Sequence, residues 1–157
     1  MLVFLPNFIE GLFCMLADYV NQDVKEMAIH ALKELLDELT DRVPGELKIN
    51  ISEIIKQLSM LCKNSDSYIR YTAIKWIYDL MCNAGKYLID EFPQILSAIL
   101  CCISDQEANI VEQADRANMN LIIYVEGLSS NADHQINYEL IVKVLMDNLE
   151  HESLQNR

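Results

Sequence analysis

Glycine and proline are scarce in this chain: four and three among 157 residues. So little punctuation excludes a loop-rich β fold and favours helices joined by short connections. Basic side chains are also few, twelve Lys and Arg against twenty-four Asp and Glu, for a net charge of −12. Such a surface repels a phosphate backbone and anionic lipid headgroups alike, so neither nucleic acid nor a bare membrane is an expected partner. No glycine-rich phosphate loop, G-x-S-x-G elbow or zinc-ligand spacing occurs. The five cysteines (Cys14, Cys62, Cys82, Cys101, Cys102) form no C-x-x-C pair and each sits in an apolar run, which is expected of reduced, buried thiols in a cytosolic protein. The opening run MLVFLPNFIEGLFCMLADYV lacks a basic leader, and Pro6, Asn7 and Glu10 interrupt it. It suits a first helix better than a signal peptide or a membrane span.

What is present in abundance is apolar residues, 52% of the chain, and they recur with a long period. Three segments align without gaps: VKEMAIHALKELLDEL from Val24, IRYTAIKWIYDLMCNA from Ile69, and IVEQADRANMNLIIYV from Ile110. Each opens on a β-branched residue, with alanine four positions later: Ala28, Ala73 and Ala114, spaced by 45 and 41 residues. Val24, Ala28, Leu32, Leu35 and Leu39 form one helical stripe; Ile69, Ala73, Ile77, Leu80 and Ala84 form another. A second helix precedes each segment, with Leu12, Leu58 and Ile99 at matching places and Pro6 and Pro93 in the first turn of two of them. Asn64 and Asp105 lie five residues before the opening Ile, and Asp18 six before Val24, where a short polar side chain binds the turn backbone.

Two helices per unit and a period of 41 to 45 residues define the HEAT/armadillo class, an all-α solenoid. Tetratricopeptide units, at about 34 residues, do not fit. The expected array occupies the whole chain, 1–157, with units near 4–43, 49–85 and 92–127 and a fourth, truncated one at 138–157. Seven helices are expected, near 5–17, 23–40, 51–63, 67–84, 93–103, 108–126 and 138–151, packed in sequence order.

The candidate chemical groups point to structure rather than catalysis. His30, His134 and His151 have no triad or ligand partner in the sequence. Adjacent Cys101 and Cys102 project about 100° apart on a helix and do not share a metal. Glu34, Asp37, Glu38, Asp41 and Glu46 crowd together, but Lys33 and Arg42 are interleaved, as on a solvated face. Lys25 and Arg70 follow the opening residue of the first two second helices, whereas Val111 takes that place in the third; a basic ladder between neighbouring units is therefore expected to fail between the second and third. Asn118 aligns with Leu32 and Ile77 and is expected to be buried and hydrogen-bonded. No catalytic, cofactor-binding or metal-binding residue is expected, and no cofactor.

The runs LPNFIEGLFCMLADYVNQDVKEMAIHALKELLDEL, IRYTAIKWIYDLMCNAG, FPQILSAILCCISD and IVEQADRANMNLI resemble, in the same order, the central HEAT repeats of the vacuolar HEAT-repeat scaffold family, ArPIKfyve. Trp76 beside Ile77, Asn118 within a core stripe and Gly85 closing the second unit carry the likeness beyond the generic pattern. The resemblance implies a non-enzymatic scaffold subunit of the phosphatidylinositol-3-phosphate 5-kinase complex. It implies a FYVE-type lipid kinase and a Sac-type lipid phosphatase as partners in controlling phosphatidylinositol 3,5-bisphosphate. It further implies a cytoplasmic protein peripherally associated with endosome and vacuole membranes, self-associating through regions outside this stretch. The kinase-contacting surface is no short motif, so no binding residue carries over. The residues alone leave two other readings open: a generic HEAT adaptor (phosphatase scaffold or transport receptor), and supporting repeats of a larger enzyme.

Overall fold

A computed structural model describes residues 5–17, 21–41, 51–129 and 138–155. Its helices are α1 (Leu5–Leu16), α2 (Gln22–Asp41), α3 (Ile51–Leu61), α4 (Ser67–Ala84), α5 (Phe92–Ile103), α6 (Ala108–Ser129) and α7 (Tyr138–Gln155). Two 3-10 turns, Gly85–Tyr87 and Ile89–Glu91, join α4 to α5, and no strand occurs among the described residues. No described helix is long and apolar enough to cross a membrane.

Each helix forms because its apolar residues fall on one face. In α1 the buried set is Ile9, Leu12, Phe13 and Leu16; in α3 it is Ile51, Ile54, Ile55, Leu58 and Leu61. These are the i, i+3, i+4, i+7 spacings of an amphipathic helix, and each such side chain contributes about 1.5–3 kcal/mol on burial. In α5, Phe92, Ile95, Leu96, Ile99 and Cys102 repeat the pattern, with Pro93 in the first turn where its missing N–H costs nothing. Leu12, Leu58 and Ile99 are all buried, as their matching places required.

The packing follows chain order. Helix α1 pairs with α2, α3 with α4, and α5 with α6; α3 also lies against α1 and α5, α4 against α2 and α6, and α5 against α7. The first helices thus form one layer (α1, α3, α5, α7) and the second helices another (α2, α4, α6). Ala28, Ala73 and Ala114 are all buried between the layers, where a small side chain permits close approach. One diagonal contact ties the first two pairs: Trp76 of α4 meets Phe13 of α1 edge-on, ring centroids 5.7 Å apart.

Two expectations need correction, one on Asn118 and one on the cysteines. Asn118 is half-buried rather than buried, and its amide makes no hydrogen bond among the described residues. Helix α4 has second helices on both flanks, whereas among the described residues only α4 flanks α6, so the buried apolar stripe of α6 is narrower: Ile110, Ala114, Ala117, Leu121. Cys14 and Cys82 are exposed, because each lies on the helix face opposite its neighbours' buried side chains; Cys101 is half-buried, and Cys62 and Cys102 are buried. Asp18, Arg42, Glu46 and His134 lie outside the described residues.

Candidate protein-binding surface

The angle between the two helices of a unit is set in the turn, and the turns share one chemistry. Asn64 Oδ1 accepts the Asp66 N–H at 2.9 Å, and Asp105 Oδ1 accepts the Glu107 N–H at 3.0 Å. These are the same contact at the same distance from Ile69 and Ile110, a side chain closing its own turn two residues on. Asp66 then caps α4, accepting from the N–H groups of Tyr68 (2.8 Å) and Ile69 (3.1 Å). Asn21 does the same for α2, accepting from Asp23 and Val24 at 3.2 and 3.3 Å. Each cap satisfies helix-end donors that the helix itself leaves unpaired, and replacing one by alanine costs about 1 kcal/mol.

Between units the links are ionic or aromatic and run forward along the chain. Arg70 Nε and Nη2 reach Asp105 Oδ2 and Oδ1 at 2.7 and 3.0 Å, while Nη1 donates to the carbonyls of Asn64 and Ser65, both at 2.9 Å. The guanidinium therefore clamps its own turn and the next one together. Lys25 holds the corresponding place in α2 and reaches forward to the Tyr68 ring, 4.5 Å from its centroid. This corrects the expected gap in the ladder. The basic residue of one unit serves the turn of its successor, so the second and third units are joined through Arg70, and Val111 bears only on the junction beyond the third. The Arg70–Asp105 side chains are 17% and 8% exposed. In that setting the Arg70 guanidinium holds the Asp105 carboxyl below the usual carboxylate range, and Asp105 raises Arg70 in return.

The α4–α5 junction depends on one glycine. Gly85 is buried in ordinary helical backbone, φ −51°, so no left-handed conformation requires it. What requires it is the ring of Tyr124, which occupies the space a Cβ would need. Tyr124 in turn packs on Phe92, centroids 6.4 Å apart. Elsewhere in the interior, the buried Cys62 thiol is pushed up by the adjacent Cys102 thiol and by burial, which keeps it protonated.

The outward face of the second helices is polar and internally paired along one row. His30, Lys75 and Arg116 occupy equivalent positions, and each is placed beside a carboxylate of its own helix: Glu34 at 3.5 Å, Asp79 at 2.6 Å and Glu112 at 2.7 Å. Glu34, Asp37 and Glu38 are exposed, in keeping with a solvated face. Next to that row the surface becomes less polar: the Tyr78 hydroxyl is raised by its contact with Cys82, Cys82 Sγ accepts from Asn120 Nδ2 at 2.9 Å, and Met119 and Ile123 lie open on α6. Reading the sequence unit by unit left these two unremarked, although the three-way alignment places them opposite Lys33 and Asp37. Among the described residues no group of three His, Cys, Asp or Glu side chains is arranged to hold a metal ion.

Residues 25–122 match the family described as Vacuolar 14 Fab1-binding region. A curated Arabidopsis thaliana protein, named Protein VAC14 homolog, is 38% identical over 127 residues, 80% of this chain and 16% of its own length. The chain thus spans about one-sixth of that relative. No solved structure matches it.

Proposed function

Since the chain belongs to the Vacuolar 14 Fab1-binding region family, a family defined by a binding activity and not by a reaction, we propose that it is a non-catalytic scaffold that holds the lipid kinase Fab1. The observation that carries this reading is the match across residues 25–122, which covers most of α2, all of α3, α4 and α5, and most of α6. The layered packing supports it: helix pairs stacked in chain order present two long faces while spending their interior entirely on stacking. We read the units as HEAT repeats near 4–43, 49–85, 92–127 and 138–157. The kinase so held makes phosphatidylinositol 3,5-bisphosphate on endosome and vacuole membranes, and a Sac-type phosphatase belongs to the same assembly. The scaffold reaches the membrane through its partners: a net charge of −12 opposes direct adsorption to anionic lipid.

Affinity capture from the full-length protein, with and without residues 25–122, tests the reading. The lipid kinase is expected with the intact protein and absent from the deletion, while a capture that retains the kinase without this stretch overturns it. Recovery of a protein phosphatase or a transport cargo in its place would favour a generic adaptor.

A further inference from the structure

The repeat shows which contacts between units are explained by packing alone. Where α1 ends beside α3, the core is filled by Leu16 of the first and Leu61 of the second, both buried. The matching places where α3 ends beside α5 are Cys62 and Cys102, by the same offsets that align Leu12, Leu58 and Ile99. Both are buried as well, yet a pair of leucines has become a pair of thiols. A core that needed only filling loses apolar volume by that exchange, so the sulfur calls for a reason of its own.

The two thiols meet. Cys62 donates a hydrogen bond to the Cys102 sulfur, which raises Cys62 and lowers Cys102. Cys62 continues the last turn of α3, its N–H donating to the Leu58 carbonyl at 2.9 Å, and Cys102 lies in the last turn of α5. Just beyond them the same two helix ends are held by Arg70, which binds the Asn64 carbonyl at 2.9 Å and the Asp105 carboxylate at 2.7 Å. The sulfurs are therefore brought together by a clamp outside themselves. Cys101 does not compete: it projects about 100° away from Cys102 around the helix and is half-buried. The turn residues next to the pair, Lys63, Ser65 and Ser104, are exposed, and helix ends are where local opening costs least.

We propose that Cys62 and Cys102 form a peroxide-sensitive dithiol that closes to a disulfide and pins the end of α3 to the end of α5. Cys102 acts first, as the sulfur that accepts the hydrogen bond. It attacks one oxygen of hydrogen peroxide; the O–O bond breaks, and the other oxygen leaves with the Cys102 proton as water. Cys102 is then a sulfenic acid. The Cys62 sulfur attacks it, the S–O bond breaks, and the hydroxide departs with the Cys62 proton as a second water. Two thiols have given up two electrons, and one peroxide has become two waters. A dithiol reductant reopens the bond by exchange. The link falls inside the family-matched residues 25–122, but its formation does not depend on the scaffold reading.

The test is treatment of the folded, full-length protein with hydrogen peroxide, then alkylation of the remaining thiols, digestion without reductant and mass spectrometry. A linked Cys62–Cys102 peptide is expected from the parent and from Cys101→Ala, and from neither Cys62→Ala nor Cys102→Ala. The oxidised parent is expected to melt several degrees above the reduced one, a shift that dithiothreitol reverses and that Cys62→Ala and Cys102→Ala lack. If either of those variants does not fold, the linked peptide and the melting shift of the parent decide the matter. Recovery of Cys62 and Cys102 unlinked from the treated parent overturns the proposal. So does a Cys62–Cys101 link, a link that forms only after denaturant is added, or a link without a melting shift.

Discussion

Arg70 and Asp105, thirty-five residues apart, meet fork to fork across two helix pairs, and the same guanidinium holds the carbonyls of the turn it comes from. Removing either partner leaves the other charge largely shielded from water and unpaired. Arg70→Ala is therefore expected to destabilise the array by about 3 kcal/mol, and Asp105→Ala by a similar amount. The double variant should cost less than the sum of the two. Urea unfolding of the four proteins checks the cycle.

The same pair gives a pH signature. The carboxyl of Asp105 is held below its ordinary value, so its contribution is present above the unfolded pKa, about 3.9, and fades as pH falls through the depressed folded value. The difference in melting temperature between the parent and Asp105→Asn should be constant near neutrality and shrink below about pH 4. A difference that grew on acidification would contradict the assignment.

Gly85→Ala is expected to be unfavourable although its φ of −51° suits any residue, a setting in which replacing glycine normally stabilises by about 0.4–1 kcal/mol. The Tyr124 ring must move off Phe92 to admit the methyl group. Shortening the ring residue, Tyr124→Leu, should make Gly85→Ala tolerable in the double variant. Thermal unfolding reads the reversal directly.

Liposomes of anionic lipid are expected not to retain the isolated chain in sedimentation at low salt, because its net charge is −12. Strong retention would replace recruitment through partners by direct contact.

The layers themselves were legible from the residues: the aligned alanines and the stripes at Ile69, Ala73, Ile77, Leu80 and Ala84 all lie in the core. Local periodicity determines which face of a helix is apolar, and that face must be covered. Contacts between units were less legible. Val111 was informative about the wrong junction, because a sequence shows which unit owns a basic residue but not the direction in which its side chain reaches. Asn118 was assigned by analogy with Leu32 and Ile77, and the analogy ignored that α2 and α4 each have the next second helix beside them, whereas none follows α6 among the described residues. Gly85 stood out in the sequence, yet its reason, the ring of a residue on another helix, is visible only once the chain is folded.

Because the main contacts of each described helix pair are with its immediate neighbours, the molecule has a short mechanical memory: a twist applied at one junction is passed on chiefly through the next. The Arg70 clamp joins the second junction by a two-pronged ionic contact, whereas the first is joined by Lys25 over the Tyr68 ring and by Phe13 against Trp76. The two junctions therefore answer to different changes: acid loosens the second by protonating Asp105, while the first rests on aromatic rings that acid does not alter.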